Sequence, residues 1–313
     1  MSGENQPRHP LGVQPEGNRL LGGGAPCCRE AGLGAFACLS DELLLDLLGR
    51  LPPHQLASLS TASRALYAFC AAEELWRCAT LERWGGDVRF RGGWRRTFAR
   101  RLRGRAEGED DEPLPLPARV DCSCVYSDLL WAPHLCATAP LAARWLAGAE
   151  TVPRAHALSL PDFEARFEVP NTPVVLTGWH PGWSGREACG EWGARAEAAA
   201  GGARVFAGGY GFALRDYLAY AQRVQADDSP LYLFDREVLA AAPELGGPAF
   251  AGGAAPFLSG GGRDHLSLLP AEQRPDHTWL IVGPPRSGSS WHKDPNATSA
   301  WCVFRVFFRI HLR

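Results

Sequence analysis

Lysine is almost missing from this chain. Its 313 residues hold a single one, Lys293, and every other basic position is Arg. A phosphate-binding loop of the G-x-x-x-x-G-K-[ST] type needs a Lys directly before Ser or Thr. Here the lone Lys lies between His292 and Asp294, so a P-loop NTPase is excluded. No V-A-I-K setting exists for a kinase lysine, and no G-x-S-x-G elbow marks an α/β-hydrolase. The ten cysteines are dilute and include no C-x-x-C pair, which argues against a disulfide scaffold, a zinc ribbon and a thioredoxin site. A reducing compartment follows, nuclear or cytoplasmic, with the nucleus favoured. No apolar run approaches the roughly 20 residues a membrane span needs, and residues 1–24 lack the apolar stretch of a secretory signal, so no membrane role is expected. Charge of one sign is also lacking: 32 basic against 34 acidic residues give −2, which leaves no strong nucleic-acid signal. With 46% hydrophobic residues the chain has ample material for a core.

Four segments emerge from the pattern. Residues 1–36 are Gly- and Pro-rich without an apolar period and read as a disordered tail. Residues 37–105 read as a helical module. Ser40 is its first N-cap, Leu43, Leu44, Leu47 and Leu48 form a stripe, and Pro52-Pro53 stop the first helix. Further helices are expected near 54–60, 63–69 and 73–84. The Arg-dense stretch 91–105 reads as a solvated helix face rather than a phosphate contact. Residues 106–120 change from acidic to Pro-rich and read as a linker. Residues 121–313 form the last segment. Short strands are expected at 173–177, 231–234, 279–282, 291–294 and 301–310, a helix at 212–222, and a surface loop at 248–262. Together these give an α+β fold class, with strands crowding toward the end in the manner of an antiparallel barrel.

Two clusters invite a metal reading. Cys122, Cys124, His134 and Cys136 have one residue between the first pair where zinc sites favour two to four, so they are read as core cysteines. His292-Lys293-Asp294 is different. On a strand, residues i and i+2 share a face, so His292 and Asp294 would project together and Lys293 away. An imidazole and a carboxylate on one face supply two ligands of the 2-His-1-carboxylate triad of non-haem Fe(II) oxygenases. By itself H-x-D arises often by chance, and a His–Asp pair inside a barrel is the competing reading.

Longer stretches carry resemblances. Leu39-Ser40-Asp41-Glu42-Leu43-Leu44-Leu45, the break at Leu51-Pro52-Pro53, then Leu56, Leu59, Ser63-Arg64 and Trp76, resemble an F-box. That implies docking to the Skp adaptor of a cullin ubiquitin ligase, with Leu43, Leu44, Pro52 and Leu56 as the groove. Residues 279–295 with Thr298-Ser299-Ala300-Trp301, the run Asp227 to Asp235, and Pro173-Val174-Val175-Leu176 with Gly182-Trp183 resemble the jumonji-C (JmjC) family of the phosphatidylserine-receptor type, in the family's order. The resemblance implies a cupin-like double-stranded β-helix that holds Fe(II) with 2-oxoglutarate as cosubstrate. It implies hydroxylation or demethylation of arginine or lysine in a histone or another nuclear or ribosomal protein. His292 and Asp294 match the first two metal ligands. Ser289, Tyr217 and Arg309 fall where the family binds the cosubstrate. Trp279 and Trp301 read as packing residues.

Two departures qualify this expectation. Cys302 stands where the family commonly has Asn, and the sequence from Phe304 to Arg313 no longer resembles the family. The second ligand histidine lies on a late barrel strand in the family. Here His311 is the sole histidine after Asp294. The barrel is therefore expected to be incomplete at the C-terminus and the chain to be an inactive fragment. The rival reading is a non-catalytic F-box adaptor that recruits a client to a ligase.

Overall fold

The computed structural model describes residues 8–21, 27–104, 120–139, 147, 151–177, 189–224, 227, 229–246 and 265–294. The chain divides into two compact units, residues 1–140 with 219–231, and residues 141–218 with 232–313.

The first unit is helical. α1 (Gly17–Leu21) and α2 (Arg29–Leu33) precede a 3-10 turn, Gly34–Cys38. α3 (Asp41–Gly49) starts where the sequence places it. The Ser40 hydroxyl accepts from the Leu43 N–H, and Asp41 and Glu42 lie in the first turn, where carboxylates meet the positive end of the helix dipole. α4 (Pro53–Leu59) begins on a proline, whose missing N–H costs nothing at that position. α5 (Arg64–Cys70) is capped by Ser63, whose hydroxyl accepts from Leu66 N at 3.1 Å. α6 (Glu73–Trp84) and α7 (Trp94–Leu102) cross through an aromatic cluster in which Phe98 meets Trp76 at 5.4 Å and Trp84 at 5.0 Å. α8 (Asp128–Thr138) is capped by Ser127, which also donates to Asp41 at 2.5 Å.

Three parts of this unit differ from the sequence reading. The described part of residues 1–36 is folded. Val13 and Leu33 are buried, Gln14 bonds Val125 and Ser127, and Arg29 pairs with Asp41 at 2.5 Å. The missing apolar period did not forbid this, because two well-placed apolar side chains and backbone pairing suffice to dock a segment. Residues 121–139, assigned by pattern to the JmjC region, lie in the helical unit. Cys122 is fully buried and its thiol donates to the Arg64 carbonyl at 3.4 Å. Residues 219–231 belong here too. The Asp227 carboxylate accepts from Trp94 Nε1 at 2.9 Å, Tyr220 Oη at 2.7 Å and Ser229 N at 3.0 Å. Of the expected linker, residues 106–119 lie outside the described residues, as do the loop 248–262 and the strand 301–310.

The second unit holds the strands. β1 (Arg154–His156) pairs in parallel with β2 (Val175–Thr177), joined through α9 (Leu160–Phe163) and a π-turn, Glu164–Glu168. Ala155, Leu158 and Phe167 form the core beneath them. α10 (Cys189–Ala200) leads to β3 (Arg204–Ala207), and the hairpin to β4 (Tyr210–Ala213) turns on Gly208 and Gly209, at φ 57° and 85°. Two successive positive φ values are what a tight turn between right-twisted strands demands. α11 (Leu214–Ala221), β5 (Leu233–Asp235), α12 (Val238–Ala241) and β6 (Leu280–Val282) follow. The larger sheet has the order β4-β3-β5-β6 and is antiparallel throughout. Its strands alternate. Val205, Ala207, Leu233 and Val282 are buried, while Phe206, Phe234 and Ile281 are exposed on the other face. A helical N-terminal unit, followed along the chain by mixed helices and an antiparallel sheet, is the α+β class expected from the sequence.

Candidate metal and cosubstrate site

The path to the site begins on the sheet. β6 ends at Val282 and the chain turns through Pro284 and Ser287, whose N–H and hydroxyl both bond the Pro284 carbonyl, at 3.1 and 2.7 Å. Gly283 allows this turn. A Cβ there would stand 2.6 Å from Ser287 Oγ and 2.9 Å from the Tyr232 ring. Beyond it, residues 291–294 are not the strand expected from the pattern but irregular chain with a bend at Trp291. Trp291 is fully exposed and Lys293 is exposed as well. No neighbouring strand among the described residues pairs with this segment, and unpaired apolar residues do not make a strand on their own.

The i, i+2 relation nevertheless brings His292 and Asp294 together. His292 Nε2 lies 3.4 Å from Asp294 Oδ1, with both side chains about half exposed. Two donors at right angles on one transition-metal ion, each about 2.0–2.2 Å from it, lie roughly 3 Å apart. The observed separation fits a shared ion after a small adjustment. His292 Nδ1 sits 2.6 Å from the Ser290 carbonyl. A carbonyl only accepts, so Nδ1–H is the donor in this contact, which leaves Nε2 as the ring nitrogen on the Asp294 side, the orientation a metal-ligating imidazole uses. Among the described residues, no group of three or more His, Cys, Asp or Glu side chains is arranged to hold a metal. His311 lies outside them.

The cosubstrate residues fare differently. Ser289 is exposed on the same connection, three positions before His292. Arg309 lies outside the described residues. Tyr217 is fully buried, and its hydroxyl donates to the Val282 carbonyl at 2.6 Å while accepting from Leu233 N at 3.2 Å. Burial pushes its phenol well above the usual value. Its single proton is committed to β6, so the structure gives Tyr217 the job of holding α11 against β5 and β6 rather than reaching for a carboxylate.

Sequence reasoning missed Asp235. Its carboxylate is buried and accepts from Phe206 N at 3.1 Å, Glu237 N at 2.9 Å and Val238 N at 2.8 Å, tying β3 to β5 and starting α12. An Asp at the end of an apolar strand and just before Val-Leu-Ala-Ala was the available signal. Trp279, expected to pack, does so against Phe234 at 4.5 Å; Trp301 lies outside the described residues. The cluster of Cys122, Cys124, His134 and Cys136 is spread out. Cys122 is buried, Cys136 is exposed, and His134 contacts the Arg8 carbonyl.

In the helical unit the F-box pattern divides by face. Leu44 and Leu56 are buried in the core, so they cannot line a partner groove as the sequence suggested; Leu43 (58% exposed) and Leu47 are the apolar side chains that α3 presents to solvent. A nine-residue helix has room for two opposed faces, and burial selected Leu44 and Leu48 for the inner one.

Comparison with known proteins matches residues 38–82 to the F-box-like family. The chain is 35% identical over 302 residues to "Arginine-specific demethylase JMJ22" of Arabidopsis thaliana, covering 94% of this chain and 56% of that protein. It is 31% identical over 285 residues to "Lysine-specific demethylase JMJ21" of the same plant, covering 87% and 28%. It is also 30% identical over 166 residues to "Bifunctional arginine demethylase and lysyl-hydroxylase psr-1" of Caenorhabditis briggsae, covering 49% and 38%. The chain thus spans about half, or less, of the length of these relatives. An F-box-like segment at the helical end, together with similarity to plant arginine and lysine demethylases over 94% and 87% of the chain, supports an F-box plus JmjC protein.

Proposed function

We propose that this chain carries the metal-binding part of an Fe(II)- and 2-oxoglutarate-dependent protein oxygenase that hydroxylates or demethylates arginine or lysine side chains of a histone or another nuclear protein. The observation that carries the reading is the pairing of His292 Nε2 with Asp294 at 3.4 Å, with the other ring nitrogen held against the Ser290 carbonyl at 2.6 Å. Names of the relatives agree with the reaction class.

His292 offers a neutral nitrogen donor and Asp294 an anionic oxygen. Together they leave a divalent ion with net positive charge, which suits an anionic 2-oxoacid as the next ligand. Iron held there would supply the oxidising chemistry, with dioxygen as oxidant and 2-oxoglutarate consumed to succinate and carbon dioxide as one C–H bond is hydroxylated. The chain's own contribution is to hold the two donors on a short connection anchored by β6. Ser289 and Arg309 are the residues proposed for the cosubstrate. Guanidinium suits a carboxylate because it donates two parallel hydrogen bonds.

The F-box-like segment gives the protein an interaction role, and we propose the Skp adaptor as its partner, docking on the face that carries Leu43 and Leu47. Residence in the nucleus is proposed with the histone-type substrate.

Binding of Mn(II), a stand-in for Fe(II), tests the site by electron paramagnetic resonance. His292→Ala and Asp294→Ala should each weaken binding at least tenfold, and Lys293→Ala should leave it within twofold, roughly the loss expected for one ligand of a small set. Equal affinity in all three variants would place the metal elsewhere. In the full-length protein, loss of succinate formation from 2-oxoglutarate in the two ligand variants extends the test to turnover.

A further inference from the structure

Four cysteines, none of which the oxygenase reading uses, come together in the helical unit: Cys27, Cys28, Cys122 and Cys124. Cys28 sits directly before α2, and Cys124 in the segment that leads to α8, far along the sequence. Their backbones are in contact, with Cys28 N donating to Cys124 O at 3.0 Å. That bond holds the two residues side by side, and a disulfide needs such neighbours, with Cα atoms about 4.4–6.8 Å apart. The Cys124, Cys27 and Cys122 thiols are near enough to act on Cys28 electrostatically. Cys28 and Cys124 are only partly buried, so a small oxidant can reach them, whereas Cys122 is enclosed. No metal-holding group of three or more side chains is present here among the described residues.

We propose that Cys28 and Cys124 are a reversible redox pair, oxidised to a disulfide by peroxide and reopened by a dithiol reductant. Cys124 sulfur attacks one oxygen of hydrogen peroxide, and the O–O bond breaks. Cys124 becomes a sulfenic acid, and the departing hydroxide takes up a proton to leave as water. Cys28 sulfur then attacks the Cys124 sulfur. The S–S bond forms, the S–O bond breaks, and the Cys28 proton leaves with the hydroxyl as a second water. Two thiols are oxidised by two electrons and one peroxide is reduced. Burial pushes the Cys28 thiol up to about 12, which makes Cys28 a weak first nucleophile towards peroxide and assigns it the second step. Transient disulfides of this kind are compatible with a reducing compartment.

The bond would have a structural consequence. Arg29, next to Cys28, holds Asp41 and the Leu39 carbonyl at the start of the F-box helix. Gly32 accepts from Ser63 at the start of α5 at 2.5 Å, and Cys122 reaches the Arg64 carbonyl. A disulfide from Cys28 to Cys124 would therefore close a long loop around α3–α7 and fix both flanking segments on them.

The full chain, reduced and then freed of reductant, is treated with hydrogen peroxide, alkylated, digested and read by tandem mass spectrometry. The expected product is a peptide pair joined at Cys28 and Cys124 and released by dithiothreitol. It should come with a rise in the melting temperature of the helical unit on the order of 10 °C, as closure of a long loop implies. Cys28→Ser and Cys124→Ser should each lose both signals, while Cys27→Ser and Cys122→Ser keep them. A bond mapped to Cys27 or Cys122, a bond found only between chains, or no bond while exposed Cys38 and Cys136 oxidise, overturns the proposal. Mapping on the unmutated chain decides the matter even if a variant fails to fold.

Discussion

Removing one oxygen atom from Tyr217 tests what holds the connection to His292 in place. The hydroxyl is the only polar atom of a fully buried side chain, and it serves two backbone groups at once, Val282 O at 2.6 Å and Leu233 N at 3.2 Å. Tyr217→Phe keeps the ring and its contact with Phe212 at 6.1 Å. It leaves a buried carbonyl and a buried N–H short of a partner. Each such group costs about 1–3 kcal/mol, with part recovered by relaxation, so the expected loss is about 2–4 kcal/mol. That corresponds to a 30- to 1,000-fold increase, roughly, in local opening of β5 and β6. Hydrogen exchange read on peptides covering 231–235 and 280–283 measures it directly. The effect should be confined to the second unit, with exchange in α3–α7 unchanged. pH provides a second readout. The folded state keeps this phenol protonated above its usual value of 10, whereas the unfolded chain releases the proton there. The Tyr217 contribution is thus complete below about pH 10 and is lost as pH rises beyond it, and Tyr217→Phe should lack that share of the alkaline decline. Exchange within twofold of the unmutated protein, with the same alkaline profile, would show that the hydroxyl does not hold these strands.

Two further perturbations probe the helical unit. Asp227→Ala orphans the Trp94 indole N–H, the Tyr220 hydroxyl and the Ser229 N–H together, and should cost about 3–5 kcal/mol by urea denaturation, with Trp94 fluorescence shifting as its partner is lost; a cost under about 1 kcal/mol would mean that water replaces the carboxylate. Leu44→Asp puts a charge at a fully buried position and should unfold the module, lowering its melting temperature by more than about 10 °C, while Leu43→Asp on the exposed face should change it by less than about 2 °C. Equal effects at both positions would contradict the assignment of faces on α3.

Local chemistry was enough for much of this protein. Ser40 and Ser63 announced helix starts because a hydroxyl before an apolar run satisfies an orphan N–H wherever the helix later sits. Pro52-Pro53 announced a break for an equally local reason. The order of motifs pointed to the family, since those residues stand in the sequence itself, and H-x-D brought His292 to Asp294 even without a strand, because residues i and i+2 lie on the same side of extended chain. The Gly208-Gly209 hairpin was legible in the same way and was overlooked among alanines. Other features arose only from contacts between distant parts of the sequence. Nothing local distinguishes Leu43 from Leu44 until one faces the core and the other solvent. Composition made residues 1–36 a tail, yet Cys124, Val125 and Ser127, distant in sequence, supply the partners that fold their described part. Tyr217 and Tyr220 lie on one helix and look alike in the pattern, but the strands around the first and Asp227 beside the second decide what each hydroxyl does. Sequence thus set the local starts, stops and motifs, whose interactions span a few residues. Tertiary structure decided burial and the partner of each buried polar group, because those depend on which distant segment fills the space alongside.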